Sequence, residues 1–348
     1  MSKNHRKRNR ARYRSKFERA LKNKRRFKEY TLIQNKYIRR RAPKAKRIRP
    51  NKSDTFFSQT NRRKTIVEIP SKFSINSDIE TVLFLVYKSK KIIETKRYNE
   101  VVFDFTKVIS IDDGATTILL SLCYDMNYQR IRVGFNNLPK NIAAKKFIEE
   151  SGFIKYFSGP LAKVKGDGPN TTIKKGQSTI LQKDSAVVIH KVMKTVWGVE
   201  KRNQKLQGML IELMTNSVNH AYLSNDREKT WYISTNHYTD QNKVEFCFVD
   251  NGDGIINTIN VKFKDKYFTS NEELLERAFE GEFRSRTKLA NRGRGLIVVK
   301  NNHENMTIRG LKVITNNVLL DFENNVTFKL KTPFSGTFYS WVIDRTCK

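Results

Sequence analysis

Three short groups of residues have the types and spacing to do chemistry. The first is Glu212-Leu-Met-Thr-Asn216-Ser-Val-Asn219-His220-Ala221. Glu212, Asn216 and Asn219 fall at i, i+4 and i+7, so on a helix all three leave one face. A carboxylate and two carboxamides in one stripe offer hard oxygen ligands to a divalent cation and can orient a water. A helix whose polar side simply faces solvent reads the same way. The second group is Phe248-Val-Asp250-Asn-Gly252-Asp-Gly254-Ile255. A strand ending in Asp250 delivers a carboxylate that can accept a hydrogen bond from an exocyclic amine such as the 6-amino group of adenine. The glycines let the backbone approach a ligand closely, although Asp-Asn-Gly-Asp-Gly is also good hairpin-turn chemistry. The third group, Asn291-Arg-Gly293-Arg-Gly295-Leu296, precedes the helical stretch Ile297-Val-Val-Lys-Asn301. Glycines at a helix N-terminus leave N–H groups open in the positive end of the dipole, which suits a phosphate. An ordinary helix entry is the alternative.

The elements that must position these residues follow from the apolar pattern. Leu206–Tyr222 is expected as a helix, and Trp231–Thr235 and Val244–Val249 as strands joined by the polar turn Tyr238–Asn242. A long irregular segment, Ile256–Arg292, then leads to a helix from Gly295. Three late strands, near Met306–Ile308, Leu319–Phe322 and Thr337–Ile343, complete a sheet. Upstream, strands at Thr65–Pro70, Val101–Phe105 and Ile131–Phe135 alternate with helices at Ile79–Tyr98, from near Gly114, and at Ala143–Ser151. That alternation predicts an α/β unit with a partly parallel sheet. The resulting division is a basic extension over 1–53, an α/β domain over 60–160, a linker over 161–177 and a second α/β domain over 178–348.

Taken together and in this order, the three groups resemble the N, G1 and G2 boxes of the GHKL (histidine-kinase-like) ATPases. The likeness covers about Gln204–Asn301 and is nearest to the anti-sigma-factor serine kinases, whose N box also ends in a sequence like His220-Ala-Tyr222. The resemblance implies a Bergerat α/β sandwich: a mixed sheet with helices on one face, binding ATP with Mg²⁺. It implies Glu212 as general base, Asn216 on the Mg²⁺, Asp250 reading adenine in a pocket shaped by Gly252 and Gly254, and Gly293 and Gly295 cradling the phosphates. Ile256–Arg292 becomes the ATP lid, with Arg284 and Arg286 placed to neutralise γ-phosphate charge. Asn219, Thr287 and Leu296 complete the implied nucleotide contacts. His190, in Val187-Val-Ile-His-Lys, is the only upstream candidate for a phosphoacceptor histidine, and its surroundings do not match that motif.

Val102–Leu120, with Phe-Asp-Phe followed by Ser-Ile-Asp-Asp113-Gly, resembles the core of STAS (anti-sigma-antagonist) domains over about Thr65–Phe157. Where those domains carry a phosphoacceptor serine, this chain has Asp113. The expectation is a fixed negative charge at a helix N-terminus in a domain that packs on or regulates the ATP-binding one, with that surface open to a protein partner.

Charge adds the last expectation. The chain of 348 residues carries 68 Lys and Arg against 34 acids, a formal net charge of +34. Residues 1–53 alone hold 23 Lys or Arg and two acids, an excess of 21, interleaved with Tyr13, Phe17, Phe27, Tyr30 and Tyr37. Such an arm suits phosphate backbones and stacking on unpaired bases, so a nucleic acid or ribonucleoprotein is the expected partner. The function implied is a slow ATPase acting as a conformational switch on that partner. A protein serine/threonine kinase of the anti-sigma type is the alternative. No apolar run reaches the roughly 18 residues of a membrane span, and the basic N-terminus does not read as a secretory signal. Cys123, Cys247 and Cys347 lack metal or disulfide spacing. A cytoplasmic protein without membrane contact is therefore expected, and the reading admits a homodimer.

Overall fold

β1 (Lys64–Glu68) begins a parallel pairing that fixes the first half of the body. It is followed by the two-residue β2 (Lys72–Phe73), α1 (Ile75–Thr95), β3 (Glu100–Asp104), the two-residue β4 (Ser110–Ile111), α2 (Asp113–Tyr128), β5 (Arg132–Asn136) and α3 (Ile142–Glu150). These residues belong to a computed structural model, which describes residues 63–95, 97–156, 170–219, 221, 229–259, 270–283 and 295–348. β1, β3 and β5 form a parallel sheet in the order β1-β3-β5, and β2 pairs in parallel with β4. The strand–helix alternation read from the sequence is present.

Local chemistry sets the helix starts. The backbone leaves helical geometry at Asp78, whose carboxylate accepts from the Thr81 N–H at 3.2 Å and hydroxyl at 2.7 Å, capping the longer part of α1. Asp112 caps α2 by accepting from the Ala115 N–H at 2.8 Å, and it also accepts from the Ser74 hydroxyl at 2.7 Å. α2 is buried from Asp113 through Cys123, which is why its sequence reads as a continuous apolar run rather than an amphipathic one.

The second half contains β6 (Thr171–Gln177), α4 (Gln182–Trp197), α5 (Gln204–Asn219), β7 (Thr230–Tyr238), β8 (Lys243–Asp250), the single turn α6 (Ile255–Thr258), α7 (Asn271–Phe279), α8 (Gly295–Glu304), β9 (Arg309–Asp321) and β10 (Val326–Ile343). Five strands form one sheet in the order β6-β7-β8-β10-β9. Every neighbouring pair in it is antiparallel.

This arrangement corrects several expectations. The sheet is antiparallel rather than mixed, parallel pairing being confined to the first half. Its helices cover both faces. Along β7, β8 and β10, Trp231, Ile233, Phe246, Phe248, Tyr339 and Trp341 join the core beneath α4, α5, α7 and α8. The intervening Tyr232, Cys247, Val249 and Phe338 join the core built from α1, α2 and the parallel sheet. A strand buried on both faces needs apolar residues at both parities, and these strands have them. Residues 61–348 are accordingly one compact unit, with the two expected domains sharing a core.

The linker expected to run to residue 177 stops short, because Thr171–Gln177 pairs residue for residue with β7. A polar edge strand has only one neighbour to satisfy. The segment expected to be irregular holds α6 and α7; Ser270 caps α7, and Leu274, Leu275, Ala278 and Phe279 are its buried stripe. The three late strands are two long ones, and Met306–Ile308 is a turn with Met306 left-handed at φ 57°. α4 has no counterpart among the expected elements. No helix among the described residues is long and apolar enough to cross a membrane.

Candidate functional site

α5 is anchored to the sheet by a buried stripe of Leu206, Met209, Leu210, Leu213, Met214 and Ser217. That leaves Glu212 and Asn216 half-buried on an adjoining face, with Asn219 exposed at the helix end. The start of α8 sits directly on them. A Cβ placed on Gly295 would lie 2.7 Å from Asn216 Nδ2 and 3.0 Å from Glu212 Oε2. Only glycine permits that approach. Asn216 Nδ2 is buried and has no hydrogen-bond partner among the described residues. A buried amide left open in this way is costly unless something completes it, and a half-rotation presents its oxygen in the same place. Leu296, the next residue, packs against the core.

Asp250 reaches the same neighbourhood because β8 alternates its faces. Val244, Phe246 and Phe248 point toward α5, so Asp250 shares their parity. Its Oδ1 accepts from the Gly252 N–H at 2.9 Å and the Thr337 N–H at 3.2 Å. Oδ2 lies 3.5 Å from the Ser217 hydroxyl, a long contact, since that hydroxyl also reaches the Leu213 carbonyl at 3.0 Å, and the Thr337 side chain adds a further hydrogen bond to the carboxylate. One carboxylate oxygen is therefore committed to the backbone while the other keeps lone pairs for a ligand donor. Burial pushes the Asp250 carboxyl up to about 7, against the lowering effect of these hydrogen bonds. The turn that follows needs its second glycine: Gly254 has φ +84°, and a Cβ there would lie 2.4 Å from Asn316 Oδ1. Asn316 in turn accepts from the Ile256 N–H at 3.1 Å and donates to the Asp253 carbonyl at 2.9 Å. The chain after α5 closes the arrangement, since the Ala221 carbonyl accepts from the Asp253 N–H at 2.6 Å.

The structure thus brings together Glu212, Asn216, Asp250, Gly252, Gly254 and Gly295. Arg284, Arg286, Thr287 and Gly293 lie outside the described residues, as do His220 and the arm 1–53. His190 lies on α4 with its Nε2 buried and without a partner among the described residues. Three participants carried no signal in the sequence. Ser217 hides one position beyond Asn216, Thr337 is an unremarkable threonine in a strand, and Asn251 occupies the unspecified position of the Asp-x-Gly pattern. Only the polar stripe of α5, extended by one residue, could have pointed to Ser217.

Asp113 departs from expectation. It is 7% exposed, at the start of α2 where it packs on the sheet near Asn236 and Glu245. Burial above all, then Asp112 and Glu245, push its carboxyl up to about 7. The charge read from the sequence as fixed thus sits on a carboxyl whose burial favours the protonated form. All three cysteines are free and buried.

Among the described residues no group of three or more His, Cys, Asp or Glu converges as a metal cage. The donors at Asn216 and Glu212 suit a different arrangement: Mg²⁺ takes one or two protein oxygens, keeps waters and draws its remaining ligands from substrate phosphates. Compared with protein-family models and with curated protein sequences, the chain matches none.

Proposed function

We propose that the second half of the body is a Mg²⁺-ATP site of the GHKL type, and that the chain is a slow ATPase switching its hold on a nucleic acid or ribonucleoprotein bound through residues 1–53. In the same reading the first half is a STAS-like unit fused to it. The observation that carries the proposal is the meeting of three separate segments. The glycine at the start of α8 lies against the carboxylate and amide of α5, and the β8 aspartate has Oδ1 engaged by two backbone N–H groups while Oδ2 keeps a long contact to Ser217.

Each residue has a task in this reading. Asp250 Oδ2 accepts from the 6-amino group of adenine, and its burial strengthens the hydrogen bond. The N–H groups at the start of α8 hold phosphate oxygens in the positive end of the helix dipole. Asn216 would hold Mg²⁺ through its side-chain oxygen, and the ion would supply positive charge against the phosphates. Glu212, beside it, takes the proton from the attacking water. No arginine is needed to explain binding, only the rate.

Glu212→Ala tests the assignment. ATP affinity, read by calorimetry, should change little, while hydrolysis in a phosphate-release assay should fall by about 10²–10⁴-fold. Unchanged hydrolysis would remove Glu212 from the chemistry.

A further inference from the structure

Asn251 stands between Asp250 and Gly252 and is 5% exposed. Its Nδ2 donates to Asp125 Oδ1 at 2.6 Å and reaches the Ser121 carbonyl at 3.5 Å. Both acceptors belong to α2, in the other half of the body. Lys90, from α1, places its ammonium 3.5 Å from Asp125 Oδ2 and donates to the Ser335 hydroxyl and, at 3.4 Å, to its carbonyl. Ser335 is two residues before Thr337, the residue whose N–H holds Asp250 Oδ1. Between them Gly336, at φ +123°, presses so close that a Cβ would lie 2.2 Å from the Asp250 carbonyl oxygen. Glu80 of α1 fixes the same stretch of β10 by accepting from the Lys331 N–H at 2.7 Å and the Thr332 N–H at 3.2 Å. One lysine and one aspartate from the first half therefore hold the end of β8, the strand that carries Asp250, and its neighbour β10.

Stability does not account for this arrangement. The side chains of Lys90 and Asp125 are 25% and 31% exposed, and partly solvated pairs contribute little to folding. What they control is position. Charge-assisted hydrogen bonds are short and directional, and a displacement of Asn251 or Ser335 is passed through one or two peptide units to Asp250.

We propose that Lys90 and Asp125 are positioning residues that set the Asp250 carboxylate against the adenine amino group, so that the first half of the chain governs base selectivity at the nucleotide site. This rests on the ATP reading above. ITP makes the test specific, because it carries a carbonyl oxygen where ATP carries the 6-amino group.

The experiment measures affinities of the full chain for Mg²⁺-ATP and Mg²⁺-ITP by calorimetry, with circular dichroism melts of every variant. Wild type should prefer ATP, and Asp250→Asn should lose most of that preference. Lys90→Met and Asp125→Ala should weaken ATP binding by about five- to tenfold while moving ITP by less than about twofold. Lys90→Arg should keep the preference. If Lys90→Met does not fold, Lys90→Gln takes its place. Equal losses for both nucleotides, or no loss, would overturn the positioning role while leaving the site intact. A wild type that binds neither nucleotide would overturn the ATP reading and this inference with it.

Discussion

Asp113→Asn should change how stability depends on pH, and the size of the change follows from where Asp113 sits. Its carboxyl is moved from 3.8 to about 7, chiefly by burial and secondarily by Asp112 and Glu245. Because the folded value lies above the unfolded one, the native state binds more protons than the unfolded chain between those two values. Stability therefore falls as pH rises through that window and levels off above about 7. A tenfold change in proton affinity is worth about 1.4 kcal/mol, so the whole effect is about 4 kcal/mol at most, of which about 2–3 kcal/mol develops between pH 5 and 7. Asp250, also raised to about 7, adds a slope of the same sign. His237 opposes both: burial first, then Lys191, lower it from 6.5 to about 4, so its contribution grows as pH rises through that interval. Comparing wild type with Asp113→Asn cancels those shared contributions. Asparagine keeps the size of the side chain and can still hydrogen-bond Asn236, the partner that opposes the upward push on Asp113. Urea unfolding followed by circular dichroism, at about pH 5 and about pH 8, should show the variant gaining about 2–3 kcal/mol on wild type at the higher pH relative to the lower. Parallel profiles for the two proteins would mean that Asp113 is ionised in the native state, and the account of its burial would fail.

Two further outcomes are expected. Gly295→Ala forces a methyl against Asn216 Nδ2 and Glu212 Oε2, at 2.7 and 3.0 Å from its Cβ; calorimetry should show ATP affinity reduced by about tenfold or more, with ITP reduced in parallel because the phosphate end is struck. Removing residues 1–53 deletes 23 basic side chains, so filter binding to single-stranded nucleic acid should lose most of its affinity and most of its salt dependence between about 50 and 200 mM.

The candidate site was more legible in the sequence than the body that carries it. Helical spacing alone put Glu212 and Asn216 on one face, and the glycines around Asp250 and Gly295 marked backbone that must come close to something. Those signals are local, and the structure keeps them. What the sequence hid was long-range. α2 reads as an apolar run whether one sheet or two bury it. The apolar residues at both parities of β7 and β8 say that both faces are covered without saying by what. β10 was legible only over Thr337–Ile343, because Pro333 and the register shifts between Lys329 and Thr337 interrupt the alternation upstream. β6 was lost for the opposite reason, since an edge strand of Thr, Lys and Gly has the composition of a linker. The raised Asp113 carboxyl follows first from burial, then from Asp112 beside it and from Glu245 on β8, more than a hundred residues away.

The shared core also decides how the first half can act. A domain that docks and releases would have to uncover Tyr232, Cys247, Val249 and Phe338 on one side of the five-stranded sheet, together with the helix faces that meet them. Exposing a large apolar side chain costs about 1.5–3 kcal/mol, so Tyr232, Val249 and Phe338 alone amount to roughly 5–9 kcal/mol. That is comparable to the whole stability of an ordinary fold, about 5–15 kcal/mol. Release of the first half therefore costs on the order of the fold's whole stability. What remains is transmission within the assembled sheet. β8 carries Asp250 toward the α5 side of the sheet and, five residues earlier at the opposite parity, Glu245 toward Asp113. The Lys90–Asp125–Asn251 contacts hold its end from the far side. In the proposed reading, a shift of Asp250 on nucleotide binding loads those contacts, and a partner that moves α1 or α2 loads Asp250 by the same amount in return.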